Sequence, residues 1–383
     1  MDALILSCGT GGGHDAAARA IAEELKRQGH YVVIMNPYTL KSSGLAEKID
    51  NTYINVAVKT PKLFGFIYNL GELYQKLPFR SPVYHINKVM VPFMKEFLSN
   101  NRFDVIITTH IFPGEILANM KKKGMRVPPT IHVATDYACI PFTHETDSDA
   151  YVVPSEDRID EFARTGIPRE KILPLGIPVD SSFYVDETRA EARKRLGLDP
   201  DRKYILIMGG SIGAGGIKAV TKKLRARVRV MKNTELIIIC GNNKKLYKKI
   251  KALKDPHIRL IGYTENMAGY MRAADLFITK PGGLSSTEAA VTGVPMVHMD
   301  PIPGCETINA EFFSKTGMSR SVGSSGPAMD RAVDDLSDRR TGETMVRRQQ
   351  MMISSDAAEK ICSLAERMAG RKRSKRRAAG RDA

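Results

Sequence analysis

The chain contains no tryptophan, and only 7% of its 383 residues are aromatic. Its five cysteines (Cys8, Cys139, Cys240, Cys305 and Cys362) are odd in number, widely separated and without a CxxC pair. That spacing excludes a disulfide framework and a zinc site and fits a reducing compartment. No apolar run approaches the roughly 18 to 20 residues of a membrane span. The first apolar stretch, 3–6, is short, follows Asp2 and runs into glycines, so it reads as a buried strand rather than a signal peptide. Acidic residues are also scarce: 42 of them against 58 Lys and Arg leave a formal charge of +16. Such an excess points to an anionic partner, whether nucleic acid, an anionic bilayer or a phosphorylated substrate. A C-terminal run (Arg371, Lys372, Arg373, Lys375, Arg376, Arg377, Arg381) adds to it, yet the body stays positive without the run. No RNP, zinc-finger or helix-turn-helix signature accompanies the charge, so no specific nucleic-acid partner is expected.

What is present is an ordinary globular composition, 43% apolar and 26% charged, in a chain long enough for two full cores. Short β-branched runs alternate with helical periodicity, the pattern of parallel α/β sheets. Strands are expected at 3–7, 31–35, 103–108, 129–134 and 150–153, and again at 204–208, 236–240, 258–261, 276–279 and 296–299. Helices fall between them, the first over 14–28 with Gly29 as its stop. The break between the halves falls near 174–180, where Pro174, Gly176 and Pro178 end regular structure. A long polar helix is expected over 343–368. Two α/β domains joined by one linker suggest a hinge-closing enzyme with a central cleft.

Each half opens with a strand that ends in glycines. Cys8-Gly9-Thr10-Gly11-Gly12-Gly13-His14 lies between a strand and a helix, where Gly12 and Gly13 can offer backbone N–H groups to an anion. A dinucleotide fingerprint fails here, because His14 takes the third glycine position and no acid follows the second strand at Met35-Asn36-Pro37. A P-loop fails for want of Gly-Lys-Ser/Thr. A histidine at a helix start is commonly a structural cap; here the glycines would let a substrate approach, and an imidazole with an ordinary pKa of about 6.5 can take a proton from a hydroxyl. The second loop, 209–216, has five glycines in eight residues, including Gly210 beside Ser211. A close-packed phosphate or acceptor explains that density; a flexible turn is the alternative.

The most specific stretch is Thr279-Lys280-Pro281-Gly282-Gly283-Leu284-Ser285-Ser286-Thr287-Glu288. A strand ends, Pro and two glycines turn the chain, and a helix opens with small hydroxyl residues suited to a diphosphate. Glu288 is placed either to accept from ribose hydroxyls or to close a capping box with Ser285. Further on, Asp300-Pro301-Ile302-Pro303-Gly304-Cys305-Glu306-Thr307-Ile308-Asn309 ends a proline loop in the carboxylate and amide that grip sugar hydroxyls. Gly262 and Tyr263 close a strand where backbone groups can meet a uracil edge.

Several of these motifs, in order, carry a resemblance. Gly11-Gly12-Gly13-His14, Thr135-Asp136-Tyr137, Gly176-Ile177-Pro178-Val179, Pro281-Gly282-Gly283 through Glu288, and Pro301-Ile302-Pro303-Gly304-x-Glu306-x-x-Asn309 resemble the monogalactosyldiacylglycerol synthase and processive diacylglycerol glucosyltransferase family. That family is similar in turn to the N-acetylglucosaminyltransferase of peptidoglycan lipid assembly. The resemblance covers roughly residues 3–320. It implies a GT-B fold, two Rossmann-like domains facing a central cleft, with an inverting mechanism and neither metal nor cofactor. The implied domains are 1–175, completed by a C-terminal helix over 343–369, and 176–342; the basic tail 370–383 is expected to be disordered. By the same resemblance His14 is the general base with Asp136 near it, Glu288 holds the ribose, and Glu306 and Asn309 hold the donor sugar of UDP-glucose or UDP-galactose. The sequence departs from the pattern after Asp136, where relatives carry His and Trp and this chain has Tyr137-Ala138-Cys139; that bears on the acceptor and not the donor.

Between the second and third strands lies an insert, 39–101, rich in aromatic and basic residues. Val83, Ile86, Val89, Met90, Phe93, Met94 and Phe97 recur in it at helical spacing, which reads equally as core or as membrane face. The Pro61-Lys62-Leu63-Phe64-Gly65-Phe66 segment is harder to bury and suits a bilayer interface. The resulting expectation is a hexose transfer from a UDP-sugar to diacylglycerol or a glycosyldiacylglycerol, by a cytoplasmic protein peripheral on the inner face of the cell membrane. The alternatives are a UDP-GlcNAc transferase acting on a polyprenyl-linked peptidoglycan precursor and a UDP-sugar 2-epimerase.

Overall fold

The computed structural model describes residues 1–379 apart from Ile212 and Lys232, with side chains described as far as Gly370. It divides into two compact units, Met1–Asp180 with Ser355–Ala383, and Ser181–Ser354. Unit 1 holds strands β1 (Asp2–Leu6), β2 (Tyr31–Met35), β3 (Val105–Thr108), β4 (Thr130–Val133), β5 (Ala150–Val152) and β6 (Ile172–Leu173). They form one parallel sheet in the order β2-β1-β3-β4-β5-β6. Helices α1 (Gly13–Arg27), α2 (Ser43–Lys59), α3 (Pro61–Tyr74), α4 (Pro82–Asn87), α5 (Val91–Asn100), α6 (Ile111–Lys122) and α7 (Ile159–Arg164) connect them.

Strand alternation explains how this sheet is covered. Ala3 and Ile5 of β1 face Ala18, Ile21 and Leu25 of α1, together with Ile361, Cys362 and Ala365 of the C-terminal helix Ala357–Ala379. Leu4 and Leu6 face the other way, onto Met90, Val91, Met94, Ile116, Leu117 and Met120. The insert therefore roofs one face of the sheet. Its apolar stripe is divided: Met90 and Met94 are core, while Ile86 and Val89 are exposed. The buried face of this segment runs instead through Ser81, Tyr84, Asn87 and Met90.

Polar side chains pin the insert. Ser81 donates its amide (2.7 Å) and its hydroxyl (2.5 Å) to the Glu145 carboxylate, and Tyr38 donates to Asn87, whose amide donates to Glu115. Burial pushes the Glu115 carboxyl up to about 8; Asn87 pulls it down, and the nearby Glu145 charge raises it. A folded-state pKa raised above its unfolded value means that the native chain holds the extra proton, so stability is lost as pH rises toward 8. Glu115→Gln should remove that slope. Melting temperatures at pH 5.5 and 8.5 should differ less in the variant than in the wild type, by the equivalent of a few kcal/mol at most. An unchanged slope would assign it to other groups.

Unit 2 repeats the architecture with β7 (Lys203–Met208), β8 (Thr234–Ile239), β9 (Ile258–Ile261), β10 (Leu276–Thr279), β11 (Met296–Met299) and β12 (Arg320–Val322). Its sheet is parallel, in the order β12-β11-β10-β7-β8-β9. Its helices are α8 (Arg189–Arg195), α9 (Ile217–Val228), α10 (Lys244–Lys251), α11 (Met267–Ala273), α12 (Gly283–Thr292), α13 (Cys305–Lys315), α14 (Pro327–Ser337) and α15 (Arg339–Met352).

The single helix expected over 343–368 is two. α15 ends at Met352 and Ile353 is extended, after which Ser354-Ser355-Asp356 lead into the C-terminal helix. Short polar side chains compete with helical hydrogen bonding there, and Lys360 N–H bonds back to Asp356 O at the new start. The backbone is helical through Ala379, where a disordered tail is expected from composition; Lys, Arg and Ala are good helix formers, and no proline interrupts them. Residues 380–383, with Arg381, lie outside the described residues. Among the described residues no helix is long and apolar enough to cross a membrane.

Candidate functional site

In a parallel sheet, ligands settle outside the carboxyl ends of the strands where the order of connection reverses. Unit 1 reverses between β1 and β3, so the loops after these two strands share one crevice. Gly11 (φ 148°) and Gly12 (φ 84°) turn the chain after β1, and Gly12 is the N-cap of α1. The turn delivers His14 beside Thr109, directly after β3. His14 Nδ1 lies 2.6 Å from the Thr109 carbonyl and 3.0 Å from Thr135 Oγ1. A carbonyl only accepts, so Nδ1 carries a hydrogen, and in the neutral ring the lone pair is on Nε2. That is the tautomer a general base needs. Asp136 follows Thr135 just past β4 and is half-buried, so the backbone brings both expected groups to one strand edge.

Two neighbours were not legible beforehand. His110, the buried N-cap of α6, packs edge-on against His14 with ring centroids 4.6 Å apart. Burial, followed by the charges of His14 and His132, holds its pKa well below the histidine range, so it stays neutral. Asp50 of α2 accepts the Gly9 amide and the Asn36 side chain (3.2 Å). A Cβ at Gly9 would lie 2.7 Å from the Asp50 carboxylate. The front of the first glycine loop, at Gly9, is thus filled by the protein's own carboxylate.

Unit 2 reverses between β7 and β10, which brings loop 209–216 against the Lys280–Gly283 turn. Most of the loop's glycines answer to internal packing. A Cβ at Gly209 would meet Ala214 O at 1.8 Å, one at Gly213 would meet Cys240 O at 2.3 Å, and one at Gly216 would meet Asp300 Oδ2 at 2.1 Å. The expected close-packed ligand does not explain those three positions. Gly210 is different: a Cβ there would sit 3.1 Å from Lys280 Cε, and one at Gly282 would sit 3.4 Å from Lys280 Nζ. The Lys280 ammonium therefore lies between the two loops. It is 14% exposed and paired with Glu306. Sequence reasoning passed over it, although it stands directly before the Pro-Gly-Gly turn.

Helix α12 starts at Gly283, with Gly282 as N-cap and no side-chain cap. A capping box from Ser285 to Glu288 is therefore not formed, since Ser285 already lies inside the helix. The amides of Gly283, Leu284 and Ser285 precede the first intrahelical bond, which Ser286 N–H makes to Gly282 O at 3.0 Å. Along an otherwise buried helix, Gly282, Ser285 and Glu288 are the partly exposed positions at its start, a three-residue stripe on one side.

Other expected contacts turn inward. The Ser286 hydroxyl is fully buried and shares a hydrogen with His298 Nε2 at 2.9 Å, while His298 Nδ1 meets Ser319 Oγ at 3.1 Å. Burial drives His298 down to about 3, so this pair is a neutral brace under the start of α12. The Leu284 side chain is buried, so only its amide remains at the helix start. Asn309 is fully buried and donates to Pro281 O at 3.0 Å; Glu306 accepts from Lys280 and from Ile302 N–H at 2.9 Å. Both brace the turn through these contacts. Ser211 is half-buried beside Gly210. Gly262 and Tyr263 follow β9 at the sheet edge, Tyr263 exposed and Gly262 with open space where a side chain would be. Among the described residues no group of three or more His, Cys, Asp or Glu could hold a metal ion.

Comparison with known proteins follows the same two halves. Residues 14–179 match the family model of monogalactosyldiacylglycerol (MGDG) synthase, and residues 204–323 match that of the glycosyltransferase family 28 C-terminal domain. The processive diacylglycerol beta-glucosyltransferase of Bacillus pumilus is 27% identical over 347 residues, 89% of this chain and 88% of that protein. The solved structure of Acinetobacter baumannii MurG superposes with a TM-score of 0.64 at 17% identity, covering 96% of this chain and 99% of that one. UDP-GlcNAc 2-epimerase from Neisseria meningitidis, bound to UDP-GlcNAc, gives 0.61 at 13% identity, covering 95% and 99%. At such identities the structures establish the fold, which is GT-B. The fold alone does not separate transferase from epimerase; the two family models and the curated relative favour the transferase.

Proposed function

From the matches to the monogalactosyldiacylglycerol (MGDG) synthase and glycosyltransferase family 28 C-terminal models and the likeness to diacylglycerol glucosyltransferases, we propose that the chain transfers a hexose from a UDP-sugar to diacylglycerol, with inversion. The observation that carries this reading is the unit 2 switch point. Lys280 lies between two glycine loops, beside the three amides that precede the first intrahelical bond of α12 and the Ser285–Glu288 stripe. A fixed cation and helix amides are the chemistry for a diphosphate leaving group. Glu288, in the second turn of α12, is a hydrogen-bond acceptor for ribose hydroxyls.

In the reaction, a lipid hydroxyl gives its proton to Nε2 of His14 as its oxygen attacks the anomeric carbon from the face opposite UDP. The bond to the β-phosphate oxygen breaks and its electron pair leaves with UDP. Lys280 and the α12 amides stabilise that growing charge, so the leaving group needs no protonation.

Acceptor access is supported by α3. Leu63, Phe66, Ile67, Leu70 and Leu73 are all about half exposed or more, with exposed Lys59, Lys62 and Lys76 around them. Such a helix suits an anionic bilayer surface, where each nearby Lys or Arg adds about 1 kcal/mol. The test offers a panel of UDP-hexoses with diacylglycerol vesicles and resolves the lipid products. A glycosylated diacylglycerol from at least one donor is expected; free hexose or 2-epimer with no lipid product would overturn the reading.

A further inference from the structure

A line of ring contacts joins the apolar helix α3 to the proposed base. Phe64 of α3 packs edge-on against Tyr53 of α2 at 5.5 Å and 82°. Tyr53 meets His110 at 6.4 Å and 80°, and His110 meets His14 at 4.6 Å and 79°. All three geometries are the perpendicular arrangement that aromatic quadrupoles favour. His110 cannot easily turn: its Nδ1 accepts the Phe112 amide at 3.2 Å and its ring packs on Phe112 at 4.4 Å. The His14 ring is held on its Nδ1 side by Thr109 and Thr135, and His110 supplies the packing contact. On the same α2 helix, Asp50 ties to the Gly9 amide one turn before Tyr53. The insert thus reaches the His14 loop twice, once through rings and once through a carboxylate.

We propose that Tyr53 and His110 are positioning residues for His14, and that they pass to it the contact state of α3 with a lipid surface. The proposal rests on the reading of His14 as base, but its first readout does not need turnover. A bilayer that draws in Phe66, Leu70 and Leu73 must shift or steady α3. Phe64 lies between those residues and Tyr53, so the ring line is the physical route by which that shift reaches the imidazole. A neutral His110 is suited to this place, because it raises no charge against a neighbour that gains a proton.

The experiment follows the His14 ring by NMR in full-length protein with isotope-labelled histidine, its signals identified by their loss in His14→Gln. Spectra are recorded without and with vesicles of diacylglycerol in phosphatidylglycerol. In the wild type, vesicles should shift the His14 ring signals; Tyr53→Leu should shift them already without vesicles and abolish the vesicle response, while Tyr53→Phe behaves as wild type. In transfer assays Tyr53→Leu should lower kcat about tenfold with KM for the UDP-sugar unchanged. If Tyr53→Leu proves unfolded, Phe64→Leu replaces it with the same expectations. Wild-type His14 signals in the folded leucine variant, or equal damage from Tyr53→Phe, would overturn the proposal. A wild type that responds to vesicles but transfers no sugar would sink the functional reading and leave this one standing.

Discussion

His14→Ala should leave UDP binding unchanged and slow transfer by at least about 10²-fold, the usual worth of a positioned general base. The expectation follows from geometry. The Thr109 carbonyl fixes the hydrogen on Nδ1, so Nε2 presents a lone pair at the unit 1 switch point. Removing the ring leaves the α1 backbone intact, since the helix is capped by Gly12 and no side chain caps it. Loss of activity with unchanged melting temperature would therefore report chemistry and not folding. Near-wild-type turnover would move the proton acceptor to Asp136, which the backbone brings to the same edge.

Lys280→Met should be nearly as costly, about 10²-fold or more in kcat, because a fixed charge aimed at a developing anion acts where water is excluded. The single variant also strands Glu306, which is buried and pairs with Lys280. A buried carboxylate without its partner is destabilising in its own right. Lys280→Met with Glu306→Gln separates the two effects: the double variant should recover the melting temperature and not the rate. Recovery of both would mean that Lys280 matters only as a structural partner.

Much of the fold was legible because short, nearly continuous β-branched runs mark buried parallel strands, and β1 to β5 and β7 to β11 fall where those runs lie. The short strands β6 and β12 were not. Ile172–Leu173 is too brief to show a period, and Arg320–Val322 reads as polar loop. The site was legible at its glycines and at His14, because strand, glycine and helix in sequence define a crevice. Lys280 was not, since its role arises only when β10 is laid beside β7, some seventy residues away. The bracing contacts of Ser286, Glu306 and Asn309 were not legible either. Their residue types suit a ligand, but which face of α12 or α13 they occupy depends on β11 and on the turn itself.

The central claim is that the start of α12 seats a uridine diphosphate. Titrating UDP into the protein by isothermal calorimetry tests it most directly, with Glu288→Ala as the comparison. Saturable one-to-one binding, weakened about tenfold or more by the substitution, is the predicted result. No heat from UDP or from any UDP-hexose, or identical isotherms for the two proteins, would contradict it.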